Sequence, residues 1–334
     1  MKSYKVLNNK EEFRNGEFSL VPIRYEDRHL IMNWRNEQIY HLRQNKILSS
    51  EDQDNYFIHI IDNLFEQDNP SQLLFSFLQN GNCIGYGGLV HINWIDKHAE
   101  ISFIMDTKLE SDFFKILWIK YLELIERVAF NELLLHKIFT YAFDLRPLLY
   151  HTLEEFAYQR EATLPEHCYF NGSFKDVVIH SKINKISLRE VKESDLEITF
   201  NWASSEKIRQ FSFNKSAISY EEHKNWFYKK ITSDQCLYLI LENLNGKALG
   251  SVRIDIENKD GLISYLIDDD YHRKGLGFQI LNLLEQFIKQ HEVPVDKLIG
   301  FVQNNNIASI RIFEKLQYEK IKDNDSLKFQ KQLK

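Results

Sequence analysis

His272-Arg273-Lys274-Gly275-Leu276-Gly277 lies between an apolar run, Leu262 to Asp268, and a stretch in which Ile280, Leu281, Leu283, Leu284 and Phe287 recur at helical spacing. The pattern predicts a strand, a tight turn and a helix from Gly277 to Gln290. Two glycines at such a turn let backbone N–H groups point outward. Together with the positive end of the helix dipole they form a nest for phosphates, to which Arg273 and Lys274 add positive charge. Further on, Asn306-Ile307-Ala308-Ser309-Ile310-Arg311-Ile312-Phe313-Glu314-Lys315-Leu316-Gln317-Tyr318 reads as a capped short helix followed by another turn.

Working outward, the stretch proves to be half of a repeat. Asn33-Trp34 recurs as Asn201-Trp202, and Cys83-Ile84-Gly85 as Ala248-Leu249-Gly250. Ala99 to Asp106 matches Gly261 to Asp268, and Glu155-Phe156-Ala157-Tyr158 matches Lys315-Leu316-Gln317-Tyr318. The offsets are 168, 165, 162 and 160, so order is kept and the second copy is slightly shorter. Each copy opens with a strand (Phe18 to Ile23; Ile186 to Val191), passes through polar helical stretches, and continues into β-rich runs such as Leu73 to Leu78 and Leu237 to Leu241. A long amphipathic helix then follows, Phe113 to Phe130 in the first copy. The expected architecture is α/β (α+β): two tandem domains, 1–182 and 183–334, each a mixed, mostly antiparallel twisted sheet flanked by helices.

Composition narrows the partners. The 334 residues include 43% apolar and 27% charged, with 42 Lys+Arg against 48 Asp+Glu, so there is no global basic field to draw the chain onto nucleic acid or an anionic membrane. Apolar runs such as Ile116 to Ile119 are far too short to span a bilayer, and Met1-Lys2-Ser3-Tyr4-Lys5 has no apolar signal core, so a cytoplasmic location is expected. Cys83, Cys168 and Cys236 show no CxxC or Cys/His ligand spacing, which fits reduced, packed thiols and predicts no metal site.

The pairing of a Q/R-x-x-G-x-G loop after one strand with an N-x-x-A-x-x-x-Y-x-K-x-G-F segment after the next resembles the two acetyl-CoA motifs of the GNAT N-acetyltransferases. That resemblance implies an acetyl-CoA co-substrate. Its contacts would be Leu266 and Ile267 for pantetheine, His272, Arg273, Lys274, Gly275, Leu276 and Gly277 for the pyrophosphate, and Asn306, Ser309 and Phe313 from the second motif. Three positions depart from the pattern. His272 replaces Gln/Arg, Gln317 replaces Gly, and Phe313 stands where many members carry a tyrosine that protonates the leaving thiolate, which a phenyl ring cannot do.

The first half resembles the RimJ/RimL-like branch of the same family, through Arg160-Glu161-Ala162 and Asn171 to Val178. Its loop, Asp106-Thr107-Lys108-Leu109-Glu110-Ser111-Asp112, has no glycine, and its carboxylates would repel a pyrophosphate. It is therefore read as a degenerate acetyl-CoA loop. Glu100 occupies the strand position where relatives place a carboxylate base; in the second half the base candidates are Asp255, Glu257 and His223. The segments around Trp202, Arg209, Glu222 to Phe227 and Gly250 to Asp255 resemble GNAT domains acting on nucleotide-linked amino sugars in pseudaminic-acid-type pathways. Trp226 and Phe227 would stack on a sugar or uridine face, Arg209 or Arg253 would hold a phosphate, and Trp202 is counted with the substrate-binding residues. The expectation is an N-acetyltransferase acting on a primary amine of a small molecule, a nucleotide-activated amino sugar for surface polysaccharide. The alternatives are a RimJ/RimL-like protein or peptide N-terminal acetyltransferase and a non-catalytic CoA-binding module.

Overall fold

Leu73 to Leu78 is buried at every position, and a strand buried on both faces requires helices on both sides of its sheet. The computed structural model, which describes residues 2–42, 44–323 and 326–333, meets that requirement twice. The chain divides into two compact units, Met1–Lys185 and Ile186–Lys334.

The first unit runs β1 (Phe13–Asn15), β2 (Phe18–Pro22), α1 (Arg28–Glu37), α2 (Ser50–Tyr56), α3 (Asp62–Leu64), β3 (Leu73–Gln79), β4 (Asn82–Asn93) and β5 (His98–Met105). It continues with α4 (Thr107–Glu126), β6 (Lys137–Phe143), α5 (Pro147–Glu155), β7 (Gln159–Phe170) and β8 (Ser173–Ile183). Its eight strands lie in the order β1-β2-β3-β4-β5-β6-β8-β7. Every pairing is antiparallel except β5 with β6. That parallel step needs a crossover, which α4 supplies. Phe114, Trp118 and Tyr121 on its buried face pack on the sheet, with the Tyr121 ring 4.0 Å from that of Phe103 and its hydroxyl donating to the Ser102 carbonyl at 2.8 Å. α4 begins earlier than the apolar periodicity suggests, because Asp106 caps a polar first turn by accepting from the Lys108 N–H.

The second unit runs β9 (Ser187–Glu190), α6 (Leu196–Ser204), α7 (Glu206–Arg209), α8 (Tyr220–Ile231), β10 (Cys236–Glu242), β11 (Ala248–Glu257) and β12 (Asp260–Ile267). There follow α9 (Leu276–Gln290), β13 (Lys297–Gln303), α10 (Ile307–Lys315), β14 (Glu319–Asp323) and β15 (Ser326–Gln332). The order β14-β15-β13-β12-β11-β10-β9 repeats that of β7 back to β2, again with one parallel pair, β12 with β13. The four-point repeat in the sequence is thus a repeated topology, and both sheets are mixed and flanked by helices as expected.

The chain leaves the first unit only after residue 185. β8 runs to Ile183, and the Asn184 side chain donates to the Leu135 carbonyl at 3.1 Å while its backbone N–H donates to that of His136 at 2.8 Å. Among the described residues no helix is long and apolar enough to cross a membrane.

One ion pair ties α4 to β8. Glu126 is buried, which raises its carboxyl above the ordinary range, and Lys182 Nζ meets both its oxygens at 2.8 and 3.0 Å. Lys182→Met leaves that carboxylate buried without a cation and should cost about 3 kcal/mol of unfolding free energy. Adding Glu126→Gln should return most of the loss; chemical denaturation of the three variants checks this.

Candidate active site

A parallel strand pair that stays together offers no room for a ligand, and β12 and β13 do not stay together. Their register stops at Ile263 opposite Gly300, while β12 continues beside β11 to Ile267 opposite Gly250. Residues 264–267 therefore have a sheet neighbour on one side only. The same parting occurs in the first unit, where β5 and β6 pair only from His98 to Glu100.

The turn after β12 is held from several directions. Asp268 accepts from the Trp202 indole N–H at 2.8 Å and from the Asp270 N–H at 3.0 Å, and Ser205 donates to Asp269 at 2.6 Å. The His272 ring nitrogen lies 2.9 Å from the Ile267 carbonyl, so the imidazole folds back onto the strand end. Arg273 and Gly275 both have positive φ, +63° and +85°, and nothing lies within 4 Å of where a Gly275 Cβ would be. Gly275 is the N-cap of α9 and supplies no side-chain cap, which leaves the first-turn N–H groups without one. Gly277 lets two helices meet, since a Cβ there would fall 2.6 Å from Ile312 of α10. An uncapped helix start at Gly275, beside open backbone of β12, fits a pyrophosphate with an extended arm attached.

Asn306 caps α10 by accepting from the Ser309 N–H at 3.1 Å, and the Ser309 hydroxyl lies 2.8 Å from that of Tyr265 on β12. Phe313 is core: it is 2% exposed, stacked on Phe329 and edge-on to Tyr318, with ring centroids 5.0 Å apart in both cases.

A cavity of about 430 Å³ opens between α6, α8, the segment 208–218 and the parted end of β12. Among the residues singled out in the sequence, Arg209, His223, Trp226, Arg253 and Leu266 line it. Arg253 places its guanidinium 4.9 Å over the Trp226 ring and reaches Asp255 at 3.1 Å. Arg209 donates to the carbonyls of Ala203 and Asn214. The Nε–H of each arginine is buried and has no hydrogen-bond partner among the described residues. His223 is buried between Phe200, Trp226 and Phe227, and burial lowers its pKa below the ordinary imidazole value. Its Nε2 lies 3.1 Å from the Thr199 hydroxyl, which itself donates to the carbonyls of Asp195 or Leu196. His223 Nε2 is therefore the N–H nitrogen, and Nδ1 carries the lone pair.

One expected substrate-binding residue, Trp202, and one base candidate, Asp255, do not line this cavity. Trp202 is buried against Ile240 and Ala248 with its N–H given to Asp268, so it holds the turn rather than offering a face. Asp255 is occupied by Lys230 at 2.7 Å and by Arg253, so it orients a cation instead of sitting as an open base. Tyr265 and Tyr238 line the cavity and were not foreseen. The repeat carried a signal for Tyr265, which stands where the first copy has Phe103.

In the first unit the matching helix start is closed. Asp106 caps it, Arg146 pairs with Glu110 and lies 4.9 Å over the Phe114 ring, and Gln38 donates to the Met105 carbonyl at 2.8 Å. Glu100 lies 2.9 Å from the His91 ring nitrogen and lines a separate cavity of about 380 Å³. The cysteines are unpaired, and burial pushes the Cys83 thiol up to about 12 and Cys236 up to about 11, which makes both poor nucleophiles.

Profiles of the GNAT acetyltransferase domain match residues 20–179 and 185–319. The chain belongs to the GNAT acetyltransferase family and carries two such domains in tandem. Acetyl-CoA is the acyl donor of that family. An uncharacterized protein of Methanocaldococcus jannaschii is 29% identical over 142 residues, 42% of this chain. The match spans only 29% of that curated relative's length. The spermidine N-acetyltransferase of Vibrio cholerae, solved with CoA and spermine, is 25% identical, covering 51% of this chain and 96% of that one at a TM-score of 0.43. A domain from Methanocaldococcus jannaschii is 25% identical, covering 45% of this chain and 99% of that one at a TM-score of 0.40.

The buried imidazoles set an acid limit. Burial, with the Arg146 charge added, lowers His41 to about 3, and His223 is lowered by burial. The unfolded chain therefore binds more protons below the ordinary value of 6.5, so stability is full above it and falls as pH drops toward 3. Thermal melts between about pH 7 and about pH 5 should show a falling Tm, with a shallower slope in His41→Asn.

Proposed function

We propose that the second unit transfers an acetyl group from acetyl-CoA to the primary amine of a small molecule that also bears an anion, a nucleotide-activated amino sugar of cytoplasmic surface-polysaccharide synthesis. The observation that carries this reading is that one strand, β12, leads from a cavity into which Arg209 and Arg253 bring cationic groups to the open α9 start at Gly275. Residues 273–277 would hold the pyrophosphate, and the unpaired side of residues 264–267 the pantetheine arm. The guanidinium groups would take the diphosphate, with Trp226 packing on a ring of the substrate.

An amine attacks a thioester only as the free base. His223, neutral at working pH with Nδ1 unprotonated, is the group in the cavity suited to accept that proton, and Thr199 holds its ring orientation. Asp255 positions Arg253. The closed helix start in the first unit favours an accessory role for it, without CoA.

A polyamine such as the spermidine acted on by the Vibrio protein would meet two guanidinium groups here, and the one lining carboxylate, Glu222, is committed to the Ser219 cap of α8.

Native mass spectrometry should count one acetyl-CoA per chain and none after Gly275→Asp, whose carboxylate would enter the open nest. With a nucleotide-linked amino sugar, Arg209→Met should raise KM at least about tenfold with kcat within about twofold. Spermidine and N-terminal peptides should be poor acceptors in the same thiol-release assay; preference for either over the nucleotide sugar would refute the substrate.

A further inference from the structure

A thioester gives up its sulfur as a thiolate, and a thiolate formed in an enclosed cavity needs a donor that water does not readily supply. The inference here rests on the acetyl-CoA reading of the second unit and asks which group meets that charge. Three of the hydroxyls around the cavity are already committed to one another or to backbone. Thr199 serves the Asp195 and Leu196 carbonyls and His223, and Tyr238 faces Ser251 and Thr199. Phe313 has no donor, and the tip of its ring fills the space that a Cβ on Gly300 would need, 2.5 Å away.

Tyr265 differs in position. It lies on β12 just past Ile263, the last residue paired with β13, and it lines the cavity. Its ring edge is 3.7 Å from where a Gly277 Cβ would be, against the start of α9. Its hydroxyl is 2.8 Å from that of Ser309 in the first turn of α10. A phenol donates one hydrogen bond and accepts others. With Ser309 donating to Tyr265, the Tyr265 O–H remains for a third group.

We propose that the Tyr265 hydroxyl donates a hydrogen bond to the thioester sulfur and stabilises the thiolate as it leaves, a catalytic role on the strand in place of one on α10. The nitrogen lone pair of the acceptor forms the new C–N bond, and the C–S electron pair departs on sulfur. The proton lost by nitrogen passes to His223 and then to water, and Tyr265 keeps its own. Burial raises the Tyr265 phenol to about 12, so it stays a neutral donor across the working range.

The test reads bound thiolate rather than turnover. The full chain loaded with CoA is titrated with alkali and followed by thiolate ultraviolet absorbance, with S-methyl-CoA as the blank. In the unmodified protein the bound thiol should titrate below free CoA. In Tyr265→Phe, which keeps the ring, the midpoint should rise by about one pH unit or more, a tenfold loss of thiolate at a given pH, with CoA affinity within about twofold. Ser309→Ala removes the same contact between β12 and α10 but leaves the donor, and should move the midpoint by less than half as much. Acetyl transfer by Tyr265→Phe should lose at least about tenfold in kcat with KM for acetyl-CoA unchanged. An unchanged midpoint in Tyr265→Phe, or equal shifts in the two variants, would reduce Tyr265 to a tether and overturn the assignment. Failure of the unmodified chain to bind CoA would instead overturn the reading on which it rests.

Discussion

The second unit depends on a pairing that is given up. Parallel strands β12 and β13 hold register through Ile263 and Gly300 and then separate, leaving four residues of β12 bonded on one side only. Exposed strand edges are normally a liability. Here the gap is bounded by elements that the crossover places there: α9 starts at the far end of β12, α10 follows β13, and the Tyr265–Ser309 contact fastens the strand to the second helix. The turn that ends β12 is in turn fixed by Trp202 through Asp268. A cavity wall, a phosphate nest and an open strand edge therefore come from one topological event.

Much of this was legible because local chemistry left marks in the residue order. Gly275 and Gly277 after an apolar run can be read without any tertiary information, and α9 ends at Gln290 as its periodicity indicates. The repeat indicated that both halves share one mixed-sheet architecture. Four residues chosen for charge or ring character, Arg209, His223, Trp226 and Arg253, converge on one cavity. What the sequence could not show is which partner each polar group takes. Trp202 and Trp226 look alike in a string, yet one gives its N–H to an aspartate 66 positions away and the other faces the cavity. Asp255 looks like a base until Lys230 is seen across from it. Tyr265 was missed for the same reason, since its significance lies in a serine 44 positions further on. The start of α4 was misplaced because its first turn is polar and capped, a signature that apolar spacing does not contain.

The two units show one topology in two electrostatic conditions. At the start of α9, a glycine with positive φ leaves N–H groups facing outward; at the start of α4, Asp106 takes the Lys108 N–H and Glu110 takes Arg146. A helix dipole favours an anion at its N-terminus in both cases. In the first unit the protein supplies that anion itself, so a dissolved phosphate would have to displace a tethered carboxylate.

The closed first unit also bears on how such a chain can change over generations. Reopening the α4 start requires the Asp106 cap to go, the Glu110–Arg146 pair to be undone, and a residue able to hold positive φ to appear at the turn, which has no glycine. Losing the Asp106 cap or the Glu110–Arg146 pair alone removes a stabilising contact without opening the turn. The two helix starts are therefore separated by several coordinated substitutions rather than one.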